Sequence, residues 1–220
     1  MRAIIISCRT VENELRLALE RTNTQYPVLY MEAGLHLRPD DLRKTLQSML
    51  DRIENVDAVL MSYGFCGKGL MGIHSDRFKI VVPRVHDCIS LLIGSAAERN
   101  RHGADVYFLT SGWVDQELSL VGEFEKALSR YGEERGMRVF RRAMQHYTKL
   151  TTIDTGAYDV STIAPRVRTV AEKMNWQCDQ VPGSIRFFEK LVTGDWDQEF
   201  IVLAPGQEIT LEDIMSLGGM

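Results

Sequence analysis

The chain has 220 residues, of which 45% are hydrophobic and 25% charged, with a formal net charge of -4. That length and balance fit one sizeable globular domain or two small lobes. An acidic chain with no basic run excludes a nucleic-acid surface as its main business, and no apolar stretch approaches the ~20 residues that a membrane span needs.

The apolar start Ala3-Ile4-Ile5-Ile6 is only a few residues long and Arg9 follows closely. It therefore reads as a first strand, over about 2–7, and not as a leader peptide. The expected location is cytoplasmic, where the four cysteines stay reduced and are explained by packing, metal binding or catalysis before disulfides. Val11 to Arg21 carries Leu15, Ala18 and Leu19 between charges and predicts an amphipathic helix. Pro27 to Met31 reads as a second strand. Pro39, with Asp40 and Asp41 behind it, opens a helix whose Leu42, Leu46, Met49, Leu50 and Ile53 recur every three or four residues. Strand three ends at Ser62 and strand four at Val82, and Ile89 to Ile93 starts a buried helix.

Val106 to Leu109 is the next strand, followed by helical sequence over about 115–147 that Gly132 and Gly136 are expected to break. Arg138, Arg141 and Arg142 within it read as one solvated face. A strand over Leu150 to Ile153, a helix over Ile163 to Met174, a short strand over Cys178 to Val181 with Cys178 in the core, a helix over Ile185 to Leu191 and a strand over Glu199 to Ala204 complete the chain.

The alternation predicts an α/β fold with mainly parallel sheets. The halves resemble degenerate copies: the strand before Cys8 pairs with that before Trp113, and Ile80 to Pro83 pairs with Ile201 to Pro205. Two Rossmann-like lobes are expected, 1–100 carrying the cysteines and 101–220 with the tail. A small-molecule ligand would sit in the cleft between them, at strand carboxyl ends.

Three cysteines stand at strand exits: Cys8, Cys66 within Tyr63-Gly64-Phe65-Cys66-Gly67, and Cys88 within Pro83-Arg84-Val85-His86-Asp87-Cys88. One buried cysteine is ordinary core, but three at such positions point to a shared site. Gly64 and Gly67 let backbone approach a ligand closely. His86 and Cys88 can offer a nitrogen and a thiolate to one ion, so Cys8, Cys66, Cys88 and His86 are the candidate metal ligands. Zinc is the first expectation, because of His86-x-Cys88, and an iron–sulfur cluster held by three cysteines the second; the spacing is not of the compact Cys-x-x-Cys kind that singles out zinc. Asp87 is either a helix N-cap or an orienting carboxylate for His86, and Asp87 with Tyr63 are the candidate catalytic groups. In the second lobe Ser111, Gly112, Trp113, Asp154, Thr155 and Gly156 stand at strand exits and are candidate ligand contacts, against the plainer reading of turn chemistry and one packed tryptophan. No dinucleotide, P-loop or nucleophile-elbow motif is present.

The combination of Tyr63 to Gly67, Pro83 to Ile89, Gly94-Ser95, Ser111 to Trp113, Ile153 to Gly156 and Gly194-Asp195-Trp196 resembles domain-of-unknown-function family 1638 over nearly the whole chain. The resemblance implies cysteines matching Cys8, Cys66 and Cys88 and a histidine matching His86, but no activity. It also implies a setting near corrinoid-dependent methyl transfer, so a corrinoid protein or a methyltransferase is an expected partner. The expected function is small-molecule chemistry at a Cys/His-bound metal, with methyl or thiol group transfer as the reaction class that this setting implies. A non-catalytic carrier of metal, cluster or corrinoid is the alternative, and a metal-free cysteine enzyme ranks third.

Overall fold

The computed structural model describes residues 1–215. In chain order the elements are β1 (Ala3–Cys8), α1 (Glu12–Arg21), β2 (Val28–Met31), α2 (Pro39–Leu50), β3 (Ala58–Ser62), β4 (Lys79–Pro83), α3 (Cys88–Ile93), α4 (Ala96–Arg101), β5 (Val106–Leu109), α5 (Ser111–Val114), α6 (Leu120–Tyr131), α7 (Glu133–Ala143), β6 (Lys149–Asp154), α8 (Ala164–Met174), β7 (Gln177–Pro182), α9 (Arg186–Thr193), β8 (Phe200–Leu203) and α10 (Leu211–Met215). Short 3-10 turns at Arg9–Val11, Ala33–Leu37 and Val160–Thr162 lead into helices. No helix among the described residues is long and apolar enough to cross a membrane.

The chain divides into two compact units, one made of residues 1–99 and 184–220 and the other of residues 100–183. The sequence reading kept 101–220 together as one lobe. The second unit does begin where expected, but the chain returns at Ser184 to the first. The reason lies in β8: its apolar run Phe200–Leu203 pairs antiparallel with β4, with Val202 opposite Val81. In the sequence these two strands resembled counterparts of two copies, yet they are neighbours in one sheet.

The first unit holds a five-stranded sheet in the order β2-β1-β3-β4-β8, parallel except for β8. Every residue of β3 is buried, as a parallel strand covered on both faces requires. Helix α2 starts on Pro39 with Asp40 and Asp41 in its first turn, where a fixed φ and negative charge suit a helix N-terminus. It buries Leu42, Leu46 and Leu50, a spacing of four that keeps one face inward. Helices α1 and α9 pack together, and α9 also covers β3 and β4. From the start of α9, Arg186 donates through Nε to the Gly94 carbonyl at 3.0 Å and through Nη1 to Glu199 at 2.7 Å, while the Ser184 amide donates to Leu92 at 2.7 Å. Those bonds fix the carboxyl end of α3, the helix that Cys88 begins.

In this sheet β1 is followed by β2 on one side, and the chain then crosses to place β3 on the other. The point where the direction of winding reverses lies between β1 and β3. Outside the carboxyl ends of two such strands a crevice forms in open α/β sheets.

The second unit has a parallel sheet in the order β5-β6-β7. Helices α6 and α7 pack as a pair, with Phe124 and Phe140 edge to face at 5.2 Å between ring centres. Gly132, at φ +73°, makes the turn between them. Gly136, expected to break the helix, lies inside α7. A Cβ there would come within 2.7 Å of the Ala127 carbonyl oxygen of α6, so the residue is glycine because the two helices approach closely. Arg138, Arg141 and Arg142 are exposed on α7, as their clustering predicted. Cys178 corrects the reading of a core cysteine. It is exposed, because β7 pairs with β6 alone and so forms an edge of the sheet.

Candidate functional site

The register of β1 on β3 places Ser7 opposite Ser62, so Cys8 and Tyr63 leave the sheet side by side at the crevice. All four residues are buried, Tyr63 to 1% exposure. The strand after Ser62 does not continue into a helix. It runs alongside the segment that follows β4, with the Phe65 amide donating to Val85 and the Cys66 amide to His86, each at 3.0 Å. Gly64 sits so close to that segment that a Cβ would lie 2.5–2.7 Å from the backbone C, Cα and O of Asp87. Backbone cannot yield as a side-chain tip can, so this position admits only glycine. Cys66 and Gly67 then take the left-handed region, at φ +46° and +74°, and turn the chain away. Glycine accepts that conformation freely, whereas cysteine adopts it only under constraint.

These contacts bring the third thiol in. The interaction with the Cys66 thiol, together with burial, holds Cys88 well above the ordinary thiol range, although the Gly64 amide opposes the rise. Burial pushes Cys8 up to about 11. The neighbouring Cys88 adds to the rise, while hydrogen bonds from Thr10 act the other way. The Thr10 hydroxyl donates to Cys8 Sγ at 3.0 Å. Tyr63 is raised too, by burial first and then by Cys8, Cys88 and Cys66 in turn. Its hydroxyl has no hydrogen-bond partner; nor has the hydroxyl of Ser62.

The three strand-exit cysteines thus all act electrostatically on one buried tyrosine. His86 is exposed and enters the site through its backbone carbonyl. Asp87 acts as the N-cap of α3: its Oδ1 accepts from the Ser90 amide at 2.7 Å and from the Ser90 hydroxyl at 2.8 Å. Among the described residues no group of three or more His, Cys, Asp or Glu side chains is spaced so as to hold a metal ion. The Cys8 sulfur is held by Thr10, Cys66 and Cys88 act on each other, and three thiols are a donor set that suits a soft metal. Thr10 was not singled out in the sequence, although a hydroxyl two residues after Cys8 was the signal available. Ser62 was seen only as the end of a strand.

The remaining candidates belong to the second unit, at the carboxyl ends of its strands. Ser111, Gly112 and Trp113 form α5 directly behind β5. Trp113 packs on the core of that unit and donates through Nε1 to the Tyr107 hydroxyl at 2.9 Å. Asp154 ends β6. Its Oδ1 accepts from the Gly156 amide at 3.1 Å and its Oδ2 from Gln180 at 3.0 Å, Thr155 is buried, and Gly156 turns at φ +71°. Turn closure and packing account for these groups as they stand.

The sequence matches the family described as "Protein of unknown function (DUF1638)" over residues 30–192. No curated protein and no solved structure matches the chain significantly.

Proposed function

The chain belongs to the DUF1638 family, and from the thiols gathered at its crevice we propose that it is a metal-binding protein whose ligands are Cys8, Cys66 and Cys88. One observation carries the reading: a buried tyrosine hydroxyl that has no partner feels all three thiols, which come from three separate strand exits. An unpaired buried hydroxyl costs about 1–3 kcal/mol, so a site that retains one has a use for it. Zinc is the first choice and a three-cysteine iron–sulfur cluster the second.

The chain's own groups are suited to hold such an ion. Thr10 donates to the Cys8 sulfur and the Gly64 amide to that of Cys88, and both bonds favour the thiolate. Tyr63 can donate to whatever lone pair enters beside the sulfurs. Bound by three thiolates, zinc with an open position supplies Lewis-acid activation of a substrate thiol or water, which suits group transfer. His86 is exposed and stands outside the primary ligand set.

The test is anaerobic purification followed by metal analysis and a visible spectrum, with Cys8→Ser, Cys66→Ser and Cys88→Ser in parallel. One zinc per colourless chain, lost in all three variants, is the expected result. A brown chromophore would move the assignment to a cluster. Metal-free protein after reconstitution, or binding that survives all three substitutions, would overturn it.

A further inference from the structure

Cys66 and Cys88 stand apart from Cys8 in one respect: they lie on two segments paired through the main chain and their thiols act on each other, whereas the Cys8 sulfur accepts from Thr10. The backbone keeps them so. Two hydrogen bonds of 3.0 Å tie 65 to 85 and 66 to 86, and Gly64 is seated on the Asp87 backbone. Neither cysteine has to travel to meet the other. Access also differs. Cys66 is half-buried and followed by exposed Gly67 and Lys68, so a small reagent reaches it from solvent, while Cys8 is 4% exposed and shut in. Cys178 is exposed but lies in the second unit, on β7.

We infer that Cys66 and Cys88 form a reversible redox dithiol that hydroperoxides oxidise to a disulfide, with Cys66 as the attacked and Cys88 as the resolving thiol. The Cys66 sulfur attacks the peroxide oxygen, the O–O bond breaks, and Cys66 becomes a sulfenic acid as one water leaves. The Cys88 sulfur then attacks that sulfur, the S–O bond breaks, the S–S bond forms, and a second water departs with the Cys88 proton. Two thiols are oxidised by two electrons and one peroxide is reduced to two waters. A small dithiol reverses the step by exchange through a mixed disulfide. The inference stands on the main-chain pairing that holds the two cysteine-bearing segments together and needs no metal. If a metal is held there, its thiolates are occupied and the step is blocked until the metal leaves.

The experiment uses the full chain, reduced and chelator-treated, exposed to one equivalent of hydrogen peroxide, then alkylated with N-ethylmaleimide and mapped by peptide mass. The expected product is a linked pair of peptides carrying Cys66 and Cys88, lighter by two hydrogens, with Cys8 and Cys178 alkylated, and with the link removed by dithiothreitol. In Cys88→Ser the same treatment should leave a sulfenic acid on Cys66 that dimedone captures. Alkylation of both Cys66 and Cys88 after peroxide, a disulfide from either to Cys8, or over-oxidation of Cys66 in the native chain would overturn the inference. Each of these results is read on metal-free protein, so failure of metal binding leaves it untouched.

Discussion

The amide of Cys66 donates to the carbonyl of His86 at 3.0 Å. With the parallel bond from Phe65 to Val85, it makes the loop after β3 a neighbour of the segment after β4. The interaction between the Cys66 and Cys88 thiols follows from that backbone alignment and not from attraction between sulfurs. The candidate site is therefore a property of main-chain geometry, and its weak points are positions where that geometry allows no substitute.

Gly64 is the first such position. In Gly64→Ala the new methyl would meet backbone atoms of Asp87 at 2.5–2.7 Å, and the two segments would have to part. Overpacking of this kind costs about 1–3 kcal/mol, and here parting them also separates Cys66 from Cys88. Gly69→Ala is the matched control. Its methyl would meet the tip of the Leu42 side chain at 2.8 Å, which can turn aside. Urea unfolding should show Gly64→Ala as the more destabilised of the two, with loss of metal and of the peroxide-induced disulfide. Equal stability of the two variants would refute the close approach.

Tyr63→Phe tests the orphaned hydroxyl. In the metal-free chain the substitution removes a buried donor that has no acceptor, so the variant should be more stable by about 1 kcal/mol. In the metal-loaded chain the same change should weaken binding of a small exogenous thiol, read by competition or by the spectrum of the cobalt-substituted protein. A metal-free Tyr63→Phe less stable than the parent would mean that the hydroxyl is satisfied after all.

Much of this arrangement can be read from the sequence, for reasons that also mark where reading stops. In β1, β3 and β4 the apolar runs Ala3–Ile6, Ala58–Met61 and Ile80–Val82 are each followed within a few residues by glycine, proline or cysteine, so their exits, and with them Cys8, Cys66 and Cys88, stand out locally. The run Phe200–Leu203 has the same composition, and nothing in it says that it will pair antiparallel with β4 and close the first unit. Gly136 is indistinguishable in sequence from a helix breaker, because the reason for it is Ala127 of another helix. Cys178 is apolar enough for a core but stands on an edge strand, and edges are decided by how many strands a sheet has. His86-x-Cys88 looks like a ligand pair. On the structure Asp87 caps α3 between them, with Cys88 directed inward and His86 outward in solvent.

The alkaline limb of stability is set by the same cluster. The folded chain raises Cys8 from the usual 9.0 to about 11, chiefly by burial, and raises Cys88 and Tyr63 in the same direction. The fold thus favours the protonated forms. The stability that Cys8 contributes is complete below about pH 9 and is lost as pH rises through about 11, and it amounts to roughly 2–3 kcal/mol at 1.36 kcal/mol per pH unit. Urea unfolding of the metal-free chain from pH 8 to 11.5 should show stability falling across that window, with a shallower fall in Cys8→Ala. A flat or rising profile would contradict the burial of the thiol.

Metal binding should carry the mirror image of that effect. Cys8 and Cys88 are held protonated well above neutral pH, while a metal takes thiolates. Zinc binding at pH 7.5 must therefore release at least two protons per ion. Calorimetric titration in buffers of different ionisation enthalpy counts them directly, and the apparent affinity should strengthen by about a hundredfold for each pH unit raised below the thiol range. His86→Ala should leave the stoichiometry and the proton count intact, because its ring is exposed and its part in the site is the carbonyl that receives the Cys66 amide. Cys8→Ser should abolish zinc binding and with it the proton release. Binding without proton release, or a count that falls in His86→Ala and not in Cys8→Ser, would place the ion on ligands other than the three thiols.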